Sequence, residues 1–185
     1  MNVAVYSGSF NPLHIGHEAI IRYLTAEGGF DIVYLVVTPQ NPFKEKHSHP
    51  TGRERYEAAV EAVKRHPELK VKVLDIELNM PSPQYTINTL DALQGLEPGN
   101  SFTLIIGADN LERFGGWRYH ERILLDYGVG VFPRRGYHRG HAKASLLKEN
   151  PAYRIRLFKA PNVDISSTEI RLGSADGKDM SAWLM

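Results

Sequence analysis

The 185-residue sequence contains no cysteine. Disulfides, thiolate zinc sites and cysteine nucleophiles are excluded together, and a reducing compartment suits such a chain. Net charge is also scarce: 22 Lys and Arg against 21 Asp and Glu leave a formal charge of +1. A broad electrostatic surface for nucleic acid or an anionic membrane is not expected, although a local basic pocket is compatible with that balance. No apolar run approaches the roughly 18 residues of a membrane-spanning helix. The N-terminus enters an apolar strand without the charged and long apolar regions of a secretory signal. These absences lead us to expect a cytoplasmic protein that engages neither membrane nor nucleic acid. With 42% apolar residues there is enough to build a core. We find no repeat, linker or low-complexity tract, so residues 1–185 are expected to form one domain.

What is present is an alternation of short apolar strands with helical patterns. Val3-Ala4-Val5-Tyr6 lies in a strand over about Asn2–Ser7, and Ile15–Leu24 is an amphipathic helix. Asp31–Val37 is dominated by a continuous apolar run, as in a parallel strand covered on both faces. Thr38–Pro50 holds three prolines with Lys44 and Lys46, and reads as a mobile loop able to close over a ligand. Tyr56, Ala59, Val60 and Val63 have helical spacing. Further strands are expected at Val71–Leu74, Phe102–Ile106, Tyr127–Phe132 and Arg154–Phe158. Further helices are expected from Thr86, as cap, to about Gln94, closed by Gly95, and over Tyr119–Leu125, Ala142–Glu149 and from Ser166 onward. This is the α/β class: a Rossmann-like, doubly wound parallel sheet of five to six strands with helices on both faces.

Two stretches carry chemistry. Gly8-Ser9-Phe10-Asn11-Pro12-Leu13-His14-Ile15-Gly16-His17 joins the first strand to the first helix, at the carboxyl end of a strand, where open α/β sheets bind ligands. His14 and His17, three residues apart at a helix start, can point the same way and form a donor-rich, electropositive spot suited to phosphate oxygens. Gly16 keeps the first helical turn bare, so that a flat group can approach the backbone. The alternatives are a capping or packing histidine, or a metal pair. The second stretch, Ile165-Ser166-Ser167-Thr168-Glu169-Ile170-Arg171, fits a capping box from Ser166 to Glu169. Its three hydroxyls, its free N–H groups and the fork of Arg171 also suit an anion.

Together these stretches resemble the G-x-F-D-P-x-H-x-G-H and I-S-S-T-x-[IL]-R signatures of the nucleotidyltransferase superfamily. Tyr85-Thr86-x-x-Thr89-Leu90, Ile105-Ile106-Gly107-Ala108-Asp109-Asn110-Leu111 and Trp117 are similar to the bacterial type of nicotinate-nucleotide adenylyltransferase. The resemblance covers roughly residues 2–172. It implies transfer of the adenylyl group of ATP to nicotinate mononucleotide, giving deamido-NAD and pyrophosphate in NAD biosynthesis, with Mg²⁺ carried on ATP and no protein metal site.

It further implies roles residue by residue. His14, His17 and Arg171 would be catalytic. Gly8, Ser9, Phe10, Gly16, Gly107, Asp109, Ile165, Ser166, Ser167 and Thr168 would join them in binding ATP, with Gly107 and Asp109 at the ribose. Ser9, Lys44, Tyr85, Thr86, Trp117 and Arg134 would bind nicotinate mononucleotide, Trp117 by stacking on the pyridine ring and the amides near Thr86 and Trp117 by receiving the carboxylate. Lys46 is a looser candidate for phosphate. Asn11 stands where aspartate is usual, keeping one acceptor and losing a charge. The chain also ends soon after Arg171, where resembling proteins usually add a helix, so an apolar surface or an altered oligomer contact is expected there. A homo-oligomer is compatible with the sequence. The alternative functions are phosphopantetheine adenylyltransferase, a cytidylyltransferase, or a non-catalytic nucleotide-binding module; the last predicts erosion of positions that here are intact.

Overall fold

The computed structural model describes residues 1–39 and 50–185, so Lys44 and Lys46 lie outside the described residues. Six strands form one sheet: β1 (Asn2–Gly8), β2 (Ile32–Val37), β3 (Val71–Leu74), β4 (Ser101–Gly107), β5 (Val129–Phe132) and β6 (Ile155–Leu157). Their order is β3-β2-β1-β4-β5-β6, and every pairing is parallel. The chain leaves β1 toward one edge and later returns beside it to build toward the other. The reversal falls between β1 and β4, which is the topological switch point of a doubly wound sheet.

The strands bury both faces because alternate side chains point to opposite sides. Val3 and Val5 of β1 pack with Leu90, Leu104 and Leu111 on one side, while Ala4 and Tyr6 pack with Ile21, Leu24 and Leu35 on the other. Helices α1 (Ile15–Ala26) and α2 (Gly52–Lys64) contribute buried residues to the second side. The first side is covered by α3 (Thr86–Leu96), α4 (Ala108–Glu112), α6 (Arg139–Glu149) and a π-helical turn over Ile123–Tyr127 that continues α5 (His120–Arg122). The last helix, α7, is Ser167–Ala175.

Several boundaries differ from the sequence reading. Tyr85, not Thr86, is the N-cap of α3, without a side-chain cap, and the helix runs through Gly95 to Leu96. Position 95 is open, with no atom near an added Cβ, so the glycine there is no break. α6 starts at Arg139, three residues before the apolar pattern does. That arginine reaches under the sheet edge to the carbonyls of Val131 and Phe158. β5 starts at Val129 because Gly128 takes a left-handed φ of 77°. The Ser166 hydroxyl accepts from the Glu169 N–H, but only this half of the expected capping box forms.

The segment after α7 folds back over the molecule. Met180 covers Gly173, a 3₁₀ turn spans Ser181–Trp183, Leu184 bridges antiparallel to His14, and the Met185 side chain is buried. Leu172, Trp183 and Leu184 remain exposed.

Candidate active site

A cavity of about 390 Å³ opens at the carboxyl ends of β1, β4 and β5, at the switch point. The starts of α1, α3 and α7 border it through Gly16, Thr86 and Ser167. The phosphate-attracting ends of two long helices and of α7 thus face one space. Both signature stretches, 150 residues apart in the chain, meet here.

The histidine pair is arranged by the backbone. His14 is the N-cap of α1, and its Nδ1 accepts from the Gly16 N–H at 3.1 Å. His17 returns the favour, its Nδ1 accepting from the His14 N–H at 3.1 Å. The two rings stack with centroids 3.7 Å apart. A neutral imidazole whose Nδ1 accepts carries its proton on Nε2, so each ring keeps an Nε2–H donor. Burial, aided by the nearby Arg134 charge, holds His14 down to about 4. Burial, then His14 and Arg134, holds His17 well below the ordinary imidazole value. The histidines are therefore neutral donors at neutral pH, and positive charge at the cavity is supplied by the helix ends and by Arg134 and Arg171.

Gly16 also has a different reason to be glycine. A Cβ there would lie 2.9 Å from Cε1 and Nδ1 of His14, so the bare position makes room for that ring while also lining the cavity. Phe10 is buried, edge-on to Tyr6 and His17, with a left-handed φ of 46°. Burial pushes the Tyr6 phenol well above its ordinary value, so it stays neutral beneath the rings.

The second signature grips the first. Ser167 Oγ donates to the Pro12 carbonyl at 2.9 Å, and Arg171 Nη1 donates to the Asn11 carbonyl at 2.6 Å. Arg171 Nη2 donates to Thr168 Oγ1 at 3.1 Å. The three hydroxyls are thus each partly engaged within the protein, Ser166 as the cap of α7. Ser166, Ser167, Thr168 and Arg171 nevertheless line the cavity, as do Ile165, Gly8, Ser9 and Phe10. Asn11 does not; its carbonyl serves as an anchor for Arg171.

On the other side of the cavity, Trp117 lines the wall and packs on Phe114 with ring centroids 4.8 Å apart. Thr86, Gly107 and Arg134 line it too, together with Asn110 and Asn162, which the sequence reading did not single out. Tyr85 and Asp109 fall outside the lining. Tyr85 turns toward the Arg118 guanidinium, 4.9 Å from its ring. The Asp109 carboxylate sits 3.5 Å from Arg134 Nε, and a Cβ on Gly107 would meet it at 2.5 Å.

Arg55 was also missed. It is buried on α2, and its Nη1 donates to the Ser9 carbonyl at 2.7 Å. The available signal was its place four residues after the Thr51 cap, in step with Ala59 and Ala62 on the buried face. Two clusters among the described residues have ligand-like proximity, Glu18–His66–Glu68 and His120–Glu121–Glu149. Neither lines the cavity, and Arg22 already bridges Glu18 and Glu68.

Comparison with known proteins identifies the family. Residues 5–173 match the cytidylyltransferase-like family. A protein of Cytophaga hutchinsonii named a probable nicotinate-nucleotide adenylyltransferase is 39% identical over 92% of this chain and 84% of its own length. A protein of the same name from Porphyromonas gingivalis is 38% identical over 100% of this chain and 89% of its own length. Among solved structures, Plasmodium falciparum nicotinic acid mononucleotide adenylyltransferase complexed with NaAD superposes with a TM-score of 0.77 at 20% identity, covering 99% of this chain and 90% of that one. At that identity the likeness supports the fold.

Proposed function

The chain belongs to the cytidylyltransferase-like family and, within it, to the nicotinate-nucleotide adenylyltransferases, and from that premise we propose how its cavity performs adenylyl transfer. The phosphate of nicotinate mononucleotide attacks the α-phosphorus of ATP in line, the α–β phosphoanhydride bond breaks, and pyrophosphate leaves. The attacking group is the substrate's own phosphate, so the protein supplies position and charge stabilisation rather than a nucleophile.

The observation that carries this reading is the stacked, neutral His14–His17 pair, with both Nδ1 atoms occupied by backbone N–H groups. Two Nε2–H donors fixed in advance suit oxygens of the α-phosphoryl group, whose charge rises in the transition state. A neutral donor pair also has no positive charge to lose or gain near physiological pH. The start of α7 with Arg171 suits the leaving β- and γ-phosphates, and Arg134 suits the incoming phosphate. Trp117 provides a platform for the pyridine ring, with the N-terminal amides of α3 near Thr86 for the nicotinate carboxylate. Gly107, with Asn110 beside it, suits the adenosine ribose. Asp109 acts indirectly, by holding Arg134.

Mg²⁺ enters as part of the ATP substrate. Among the described residues the cavity lining offers histidines, hydroxyls, amides and arginines but no carboxylate, and Mg²⁺ prefers oxygen ligands, several of them water. The lining residues therefore do not form a cage for the ion, and no step is assigned to it.

The test supplies ATP, Mg²⁺ and either nicotinate or nicotinamide mononucleotide and measures pyrophosphate. Release with nicotinate mononucleotide, exceeding that with the amide, is expected. No release with either mononucleotide sinks the enzymatic reading, and equal rates sink the acid-selective pocket.

A further inference from the structure

In the loop from Gly8 to Leu13 nearly every carbonyl oxygen is held by a hydrogen-bond donor. Gly8 O accepts from the Thr38 N–H at 2.9 Å, Ser9 O from Arg55 Nη1 at 2.7 Å, and Asn11 O from Arg171 Nη1 at 2.6 Å. Pro12 O accepts from Ser167 Oγ at 2.9 Å, and Leu13 O from the Met185 N–H at 3.5 Å. The donors come from the end of β2, from α2, from α7 and from the C-terminal segment. A loop meant to receive polyphosphate must keep these negative dipole ends away from the anion.

Of the three side-chain donors, Ser167 and Arg171 line the cavity and Arg55 does not. It is 4% exposed, and on the same buried face of α2 its neighbours are Ala59 and Ala62. Its Nη2 is buried with no hydrogen-bond partner among the described residues. Burying a guanidinium on one neutral carbonyl is costly. An apolar side chain would pack α2 against the loop without that cost, so packing does not account for Arg55.

The loop supplies the reason. Phe10, between the two arginine-held carbonyls of Ser9 and Asn11, has a φ of 46°, a conformation that a bulky L-residue resists. Such strain persists only where the surroundings over-determine it.

We propose that Arg55 is a positioning residue for adenylyl transfer, binding the Ser9 carbonyl from outside the cavity lining so that the strained β1–α1 loop is fixed, while Arg171, in the lining, holds the Asn11 carbonyl. Arg55 acts through Ser9 and Phe10 and touches no reacting atom. The inference rests on the adenylyl-transfer reading above for its kinetic consequence, though not for its structural one.

The experiment compares the full wild-type chain with Arg55→Met and Arg55→Lys. It measures kcat and KM for ATP and nicotinate mononucleotide well below the melting temperature, and amide hydrogen exchange of each unliganded protein. For Arg55→Met we expect kcat to fall by about ten- to a hundred-fold, the penalty of a small misplacement at a reacting centre, with KM for nicotinate mononucleotide within about two-fold. Amides in residues 8–13 exchange faster while those of β4 and β5 do not, and Arg55→Lys, which can still donate to Ser9, regains part of the kcat.

Wild-type kcat in folded Arg55→Met overturns the proposal. So does a loss of kcat accompanied by faster exchange across the whole sheet and no recovery in Arg55→Lys, which marks a purely structural residue. If the wild-type chain releases no pyrophosphate, the adenylyl-transfer reading has failed, and the exchange of residues 8–13 decides the positioning claim alone: unchanged exchange in Arg55→Met overturns it.

Discussion

A single methyl group at position 16 is enough to disturb the site. The Cβ of Gly16→Ala would sit 2.9 Å from the His14 ring, closer than carbon atoms approach, and that ring is stacked on His17. The substitution favours α1 as a helix, alanine being the better helix former by about 0.5–1 kcal/mol, yet it moves the His14 ring in the cavity wall, the donor proposed for phosphate. We expect Gly16→Ala to stay folded while kcat falls by about a hundred-fold. Steady-state kinetics beside a melting curve checks this, and a fall in melting temperature with kcat intact would contradict it.

The same pair makes a pH prediction. His14 is held down to about 4 in the folded chain against 6.5 for the free side chain. A group whose folded value is lowered adds stability that is fully present above its unfolded value. Stability from His14 should therefore be complete above about pH 6.5 and be lost as pH falls toward 4, where protonated Nδ1 can no longer accept from the Gly16 N–H. Activity should show no imidazole inflection near 6.5 and should decline in the same acidic window. Parallel pH profiles of kcat and of unfolding free energy test this. An activity inflection at 6.5 would mean that an exposed, ordinary histidine is in control.

At the scale of elements, the parts that recur in the sequence as patterns were legible. The strands were visible because a parallel strand buried on both faces becomes an unbroken apolar run, as in Ile32–Val37. Both halves of the site were legible because glycine turns and hydroxyl caps leave local signatures. What lay hidden depends on distant partners. Nothing local says that Arg55 meets Ser9, that the Asp109 carboxylate lies beside Arg134, or that Ser167 donates to Pro12.

That last contact joins α7 to the first loop and can be measured. Ser167→Ala leaves the Pro12 carbonyl without its donor while the Ser166 cap stays intact. We expect a loss of about 0.5–1.5 kcal/mol in denaturant unfolding and a several-fold fall in kcat. Unchanged stability would show that α7 is held by Arg171 and Ile170 without this bond.

For the whole molecule, the strand order decides where anything can bind. Only between β1 and β4 do the connections diverge, and the cavity opens there. The sheet supporting that point has little slack, as Gly130 shows. An added Cβ would collide with the Phe158 ring and lie 3.1 Å from Ile105 Cδ1. Phe158 is 1% exposed and cannot swing into solvent. Gly130→Ala should therefore cost about 1–3 kcal/mol through overpacking and lower the melting temperature by several degrees. A neutral result in thermal melts would mean that β6 and the Phe158 segment give way at low cost.

A cell also contains free transition ions, and two imidazoles three residues apart at a helix start would elsewhere be a chelator. Here each Nδ1 lone pair is taken by a backbone N–H, which leaves each outward nitrogen protonated, with nothing to donate to a cation. Capturing an ion would require breaking the cap of α1 or stripping a proton from a neutral ring. The arrangement that suits the pair to the proposed contact with phosphate oxygens makes it a poor host for zinc or nickel. Turnover should be insensitive to zinc at a few equivalents of enzyme, and stoichiometric inhibition would reveal that the rings hold their protons on the other nitrogen.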